Sequence, residues 1–142
     1  MILLDTNVVS EPLKASCDKN VLSWLDEQVI ETLYLSTISL AELRFGIAAL
    51  PEGKRRDTLF SSLEQQVLPL FAGRILPFDE QASQAYATLR ANSRTAGRAI
   101  ATADGYIAAI AVAHGLAVAT RDTSPFEAAG LKVINPWMWM GR

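Results

Sequence analysis

Short apolar runs alternate along the chain with longer stretches in which apolar residues recur every three or four positions. Residues 1–4 (MILL) form an apolar run that stops at Asp5, the pattern of a buried strand. Asp18 is placed to cap a helix in which Val21, Leu22, Trp24, Leu25, Gln28 and Val29 recur at helical spacing. Residues 33–35 (LYL) predict a second strand. A helix then starts at Ser39 and carries Leu40, Leu43, Phe45 and Ile47. Pro51 interrupts that pattern and suits the entry to a further helix ending near residue 68. Ile75, Leu76 and Phe78 predict a third strand across Pro77. Asp79 caps a helix that turns Ala82, Ala85, Tyr86 and Leu89 inward and breaks or bends at Gly97. Residues 101–113 form a strongly apolar helix closed by Gly115, and residues 116–120 and 132–134 supply the last two strands. No repeat, low-complexity tract or linker is visible. The alternation predicts one α/β domain over residues 1–142, an α/β/α sandwich whose central, mostly parallel sheet has about five strands.

Composition narrows the function. Half of the 142 residues are hydrophobic and 20% are charged, which excludes intrinsic disorder and allows a core without staples. Thirteen Lys plus Arg against fifteen Asp plus Glu give a net charge of -2. A globally basic nucleic-acid binder is excluded, but a local basic patch is not. The single cysteine, Cys17, excludes a disulfide framework and a multi-cysteine zinc site, and the single histidine, His114, excludes a His-rich metal site. His114 near a helix C-terminus suits a cap or dipole partner. The opening MILLDTN has no basic segment or cleavage site, and no apolar stretch approaches the about 20 residues of a membrane span. The expectation is a cytoplasmic protein whose remaining tools for demanding chemistry are carboxylates and a hard cation.

Four carboxylates stand next to apolar structure rather than on polar faces. Asp5 follows the first strand, Glu42 lies in the first turn of the helix after Ser39, Asp104 opens the apolar helix, and Asp122 follows the fourth strand. Active sites of open parallel sheets gather beyond the carboxyl ends of the strands, so all four can face one crevice. Like charges there repel, and a divalent cation with oxygen ligands, such as Mg²⁺, relieves the repulsion. Such a site activates water for attack on phosphorus. Each acid also has a plainer explanation. Ser39-Leu-Ala-Glu42 fits a capping box, Asp104 suits a helix dipole, and Asp122 suits a turn or cap. Asp5 is the hardest to explain plainly, because Asp is depleted from buried positions unless paired.

Two basic features, Lys54-Arg55-Arg56 and the series Arg90, Arg94 and Arg98, either grip phosphates or form solvated helix faces. The apolar tail from Trp137 to Met140 either packs back on the sheet or meets a partner.

The segments MILLDTNVVSEP, STISLAELRFGI, LPLFAGRILPFDE, ATADGYIAAIA and GLAVATRDTSPF occur in that order over nearly the whole chain. Together they resemble the PIN-domain family, in particular the VapC-type toxins of type II toxin–antitoxin systems and their FitB-like branch. The resemblance implies an α/β/α fold and a Mg²⁺- or Mn²⁺-dependent endoribonuclease that hydrolyses RNA by metal-activated water. Asp5, Glu42 and Asp104 match the family's acidic metal ligands, and Asp122 its fourth acidic position. Asn7 and Thr120 match supporting polar residues, and Arg90, Arg94 and Arg98 are candidate substrate contacts. Pro125 stands before Phe126 where many relatives carry a second Asp, so Asp122 alone must supply the fourth carboxylate. The implied partners are an RNA substrate, a DNA-binding VapB-type antitoxin and a second copy of the chain, assembling with the antitoxin on operator DNA. Val8, Val9, Leu43 and Phe45 are candidates to line the antitoxin's groove. Two other readings remain: a non-catalytic regulatory subunit of such a DNA-binding complex, and a phosphohydrolase with Asp5 as nucleophile. The latter lacks a second Asp two positions after Asp5.

Overall fold

In the computed structural model, which describes residues 1–141, five parallel strands form one sheet in the order β3-β2-β1-β4-β5. They are β1 (Ile2–Leu4), β2 (Leu33–Ser36), β3 (Ile75–Leu76), β4 (Ala117–Ala119) and β5 (Val133–Ile134). The α-helices are α1 (Thr6–Ser10), α2 (Lys19–Glu27), α3 (Thr37–Ala48), α4 (Lys54–Ser61), α5 (Glu80–Thr95), α6 (Thr102–His114) and α7 (Thr123–Ala128). Leu3 pairs in register with Val118, and Leu4 with both Leu35 and Ala119. Successive strand residues point to opposite faces. Leu3 and Val118 therefore join one core with Leu89 of α5, Ile107 and Ile110 of α6 and Phe126 of α7. Leu4, Leu35 and Ala119 join the other, with Val8 and Val9 of α1, Trp24 of α2, and Leu40, Leu43 and Ile47 of α3.

The chain steps outward from β1 to β2 to β3, then returns across the sheet through α5 and α6 to place β4 on the other side of β1. The order reverses between β1 and β4. That reversal opens a crevice at the carboxyl ends of these two strands.

Several expected boundaries move. α3 starts at Thr37, capped by the Ser36 hydroxyl, which accepts from Ser39 N at 3.0 Å. Ser39 is thus inside the helix, and Glu42 lies beyond its first turn. Pro51 stays in the connection, and α4 starts after Gly53, whose φ of 152° suits glycine. The helix expected to reach residue 68 leaves α geometry early: a π-helical turn, Ser62–Val67, passes into a 3₁₀ turn, Leu68–Phe71. Pro69, which lacks an N–H, rules out an α continuation there. β3 stops at Leu76, because Pro77 cannot donate to the ladder. Gly97 (φ 71°) lies just past α5, and Gly115 (φ 64°) gives α6 its left-handed cap.

The tail packs back. Trp137 and Trp139 lie against the α1–α4 core, Asn20 Nδ2 donates to the Trp137 carbonyl at 2.9 Å, and the Arg121 guanidinium sits 5.2 Å from the Trp137 ring centre. Met138 and Met140 remain exposed. Among the described residues, no helix is long and apolar enough to cross a membrane.

Candidate active site

Asp5 is the single residue between β1 and α1, so it follows the last strand position and caps the helix. Its N–H donates to the Ala119 carbonyl at 2.9 Å, continuing the β1–β4 ladder one step into the crevice. Its carboxylate accepts from Thr6 N through Oδ1 and from the Thr120 hydroxyl through Oδ2, both at 2.8 Å. Thr120 is fully buried, and its oxygen also accepts from Asp122 N at 3.0 Å. One hydroxyl from the end of β4 therefore fixes the rotamer of Asp5 and ties the backbone of Asp122 to it.

Glu42 comes from the other side. The Thr6 hydroxyl donates to Glu42 Oε1 at 2.7 Å and lies 2.9 Å from Ser39 Oγ. Thr6 has one hydroxyl proton, so the proton in the second contact comes from Ser39. The relay Ser39–Thr6–Glu42 joins the starts of α1 and α3. It also removes the plainer explanation of Glu42: the cap of α3 is Ser36, and Glu42 bonds no backbone amide of that helix start.

Asp104 lies in the first turn of α6, where the N-cap position is Ala101 and gives no side-chain cap. A helix N-terminus would favour its anion. Nonetheless its carboxyl is pushed up to about 6, chiefly by burial and then by Asp5, Asp122 and Glu42. Asp5 is also raised, by burial first, against the lowering effect of its two hydrogen bonds, with Glu42 and Asp122 adding to the rise. These mutual effects place all four predicted carboxylates in one electrostatic neighbourhood. Asp122 is exposed; it occupies the N-cap position of α7, but its side chain makes no capping bond.

Among the described residues, the only ion pairs are Lys14–Glu11 and Arg44–Glu64, so no Lys, Arg or His neutralises the four acids. Nor do three of them converge into a closed set of direct metal ligands. What exists is a set of neighbouring oxygen donors, not closed into one cage, whose repulsion no ion pair among the described residues relieves. That donor set fits a hard cation that keeps part of its water shell better than one enclosed by protein.

The other candidates divide. Asn7 stands at the rim, where its Oδ1 accepts from Arg121 N at 3.4 Å. Arg90, Arg94 and Arg98 surround a separate concavity at the end of α5. Of the residues expected to line the antitoxin's groove, Val8 and Val9 are core residues and Phe45 is exposed outside it, whereas Leu43 does lie along it. A groove of about 290 Å³ does run between α1, α3 and α4, with Thr6 and Glu42 at its edge and Leu43, Ile47, Leu59 and Arg55 along it. Thr6 and Ser39 were not legible as site residues. Their contacts span more than thirty positions, and no local pattern announces them.

Comparison with known proteins gives this geometry a family. Residues 2–131 match the PIN domain. The chain is 65% identical over 137 residues to VapC ribonuclease Y4jK of Sinorhizobium fredii, covering 96% of this chain and 98% of that one. It superposes with a TM-score of 0.94 on the crystal structure of FitAcB from Neisseria gonorrhoeae, at 56% identity over 97% of this chain and 99% of that one. A structure of FitAB bound to an IR36 DNA fragment matches equally, with a TM-score of 0.94 at 54% identity and 96% of each chain covered. With its acids at the reversal of a five-stranded parallel sheet, this chain belongs to the PIN-domain family, in the branch of VapC-type toxins that includes FitB.

Proposed function

We propose that this chain is a metal-dependent endoribonuclease and the toxin of a VapBC-type toxin–antitoxin pair. The observation that carries the proposal is the group of four mutually repelling carboxylates without a cationic partner among the described residues. Such an arrangement opposes folding stability and is retained where a cation is to be held. Asp5, Glu42 and Asp104 would hold Mg²⁺ or Mn²⁺, in part through water, with Asp122 as the fourth ligand. When bound, the ion supplies charge neutralisation at phosphorus and a more acidic water. The chain's own residues do the rest. Thr120 and the Thr6 amide hold Asp5 in one orientation. The Thr6 hydroxyl donates to Glu42 and fixes its position, and Glu42 or Asp122 would orient or deprotonate the attacking water. No side chain need act as nucleophile.

The antitoxin partner is a DNA-binding VapB-type protein. One of its segments would occupy the groove between α1, α3 and α4 and carry a basic residue toward the acids. This toxin would act as a homodimer and join its antitoxin on operator DNA; the structure of FitAB bound to an IR36 DNA fragment supports an assembly of toxin, antitoxin and DNA.

Calorimetry with Mn²⁺ on the wild type and on Asp104→Asn tests the site without knowledge of the RNA. Saturable binding that is lost in the variant is the expected result. A wild type that binds no Mn²⁺ overturns the metal mechanism and leaves the regulatory-subunit reading in its place.

A further inference from the structure

The chain is acidic overall, yet residues 81–103 contain three arginines and not one Asp or Glu. Those arginines, Arg90, Arg94 and Arg98, ring a concavity of about 300 Å³ floored by Ser93, Gly97, Ala99 and Ile100. Helical spacing puts Arg90 and Arg94 on one face of α5. The turn at Gly97, closed by a bond from Arg98 N to the Ser93 carbonyl at 2.8 Å, brings Arg98 round to the same mouth. Among the described residues, none of the three meets a carboxylate. A solvated helix face would be expected to carry acids among its bases, and this one carries none.

The concavity is also joined to the acidic site through contiguous packing. Arg90 Nη1 donates to the Tyr86 hydroxyl at 2.7 Å. The Tyr86 ring lies so close to Gly105 that a Cβ there would stand 3.0 Å from it, and Ile100 of the concavity floor would be 3.9 Å from the same point. Gly105 follows Asp104. Phe78 and Tyr106 stack beside Tyr86, with ring centres 4.9 Å apart for Tyr86–Tyr106 and 4.8 Å for Phe78–Tyr106. Arg90 therefore stands against the half-buried Tyr86 ring, and through it the concavity that Arg90 shares with Arg94 and Arg98 leads to the turn that carries Asp104.

We propose that the concavity ringed by Arg90, Arg94 and Arg98 is a phosphate-backbone subsite for the RNA strand, next to the acidic site where that strand is cut. The inference rests on the ribonuclease reading and deepens it. The arginines position the strand and take no part in bond cleavage. A polyanion is the ligand this chemistry favours, because guanidinium forks match phosphate oxygens and three lie around one mouth. Attraction there also offsets repulsion of the same strand by the four acids.

The test uses a fluorescein-labelled oligouridylate, with anisotropy read across a salt series in chelator, so that no cleavage occurs. The variants are Arg94→Gln/Arg98→Gln, which leaves the Arg90–Tyr86 contact intact, and the triple variant that adds Arg90→Gln. The slope of log affinity against log salt is expected to fall by about 1.4 in the double variant and about 2 in the triple, at about 0.7 per phosphate contact on a single strand. Mn²⁺ binding at the acids, measured by calorimetry on the same variants, stays unchanged. Unaltered affinity and slope in the double and triple variants would overturn the subsite, as would a wild type that does not bind the strand. Variants that bind oligoglutamate more weakly but RNA normally would reassign the concavity to an acidic peptide, which also overturns it. The ribonuclease reading fails separately, through absence of the Mn²⁺ site in the wild type.

Discussion

Asp104 shows how tertiary surroundings reverse a local preference. Its place in the first turn of α6 favours the anion, but burial and three neighbouring acids push its carboxyl up to about 6. In the unfolded chain the same group titrates at its ordinary value of 3.8. Between these values the folded, metal-free protein binds more protons than the unfolded one, so stability falls as pH rises from about 4 to 6. Above that window the destabilisation is complete. Asp104→Asn removes the charge, and in chelator at pH 7 it should melt about 3 °C above the wild type. The advantage should vanish near pH 4. A variant that melts lower at pH 7 would contradict this. Thr120 is the other decisive residue. Its buried hydroxyl donates to Asp5 and accepts from Asp122 N. Thr120→Val leaves both without that partner and should cost about 1–3 kcal/mol in urea unfolding, whereas Thr120→Ser should restore most of it. Asp5, Glu42, Asp104 and Asp122 were each readable from the sequence as acids beside apolar structure. The hydroxyls that orient them were not, because Thr6 reaches Glu42 across 36 positions and Thr120 reaches Asp5 across 115.

At the scale of elements, caps were the most legible feature. Asp18 accepts from Asn20 N at 2.8 Å and Val21 N at 3.2 Å, and Asp79 accepts from Ala82 N at 2.9 Å, as their places before apolar-periodic runs predict. Ser36 was the exception. It ends a strand and caps the following helix with no residue between, so the more familiar Ser-x-x-Glu pattern at Ser39 was misleading. The contact of α5 with α6 depends on Gly105, where a Cβ would meet the Tyr86 ring at 3.0 Å. The half-buried Tyr86 ring packs against Phe78 and Tyr106, so any shift of the ring is passed to them. Gly105→Ala gains helix propensity but forces these helices apart, and the net effect should be a loss of about 1 kcal/mol. Equal or greater stability in urea would show that the ring yields freely. The same shift would move Asp104 relative to Asp5, so Mn²⁺ affinity should weaken along with stability.

For the whole molecule, the sheet reversal between β1 and β4 decides where chemistry can occur. Strands that end side by side present Asp5 and Thr120 to one crevice, α3 adds Glu42, and α6 adds Asp104. Because the acids repel in the metal-free protein, cation binding should appear as global stabilisation. Mn²⁺ at about 100 times its Kd should add about 2.7 kcal/mol. Asp104→Asn should lose most of that gain, and a melting temperature indifferent to Mn²⁺ in the wild type would contradict the site. While the short helices α1 and α7 came only with the structure, the sequence by itself determined the strand order along the chain, the five longer helices, the apolar faces and the identity of the four acids. Those properties are local: burial periodicity, capping chemistry and the exclusion of charge from apolar runs are written into neighbouring residues. Only the tertiary structure decided that the four acids share one neighbourhood, that Thr6, Ser39 and Thr120 orient them, and that Arg90, Arg94 and Arg98 open on a concavity of their own. Each of these depends on contacts between segments far apart in the chain. Such contacts arise from packing two helical layers onto one sheet, and no local pattern of residues encodes them.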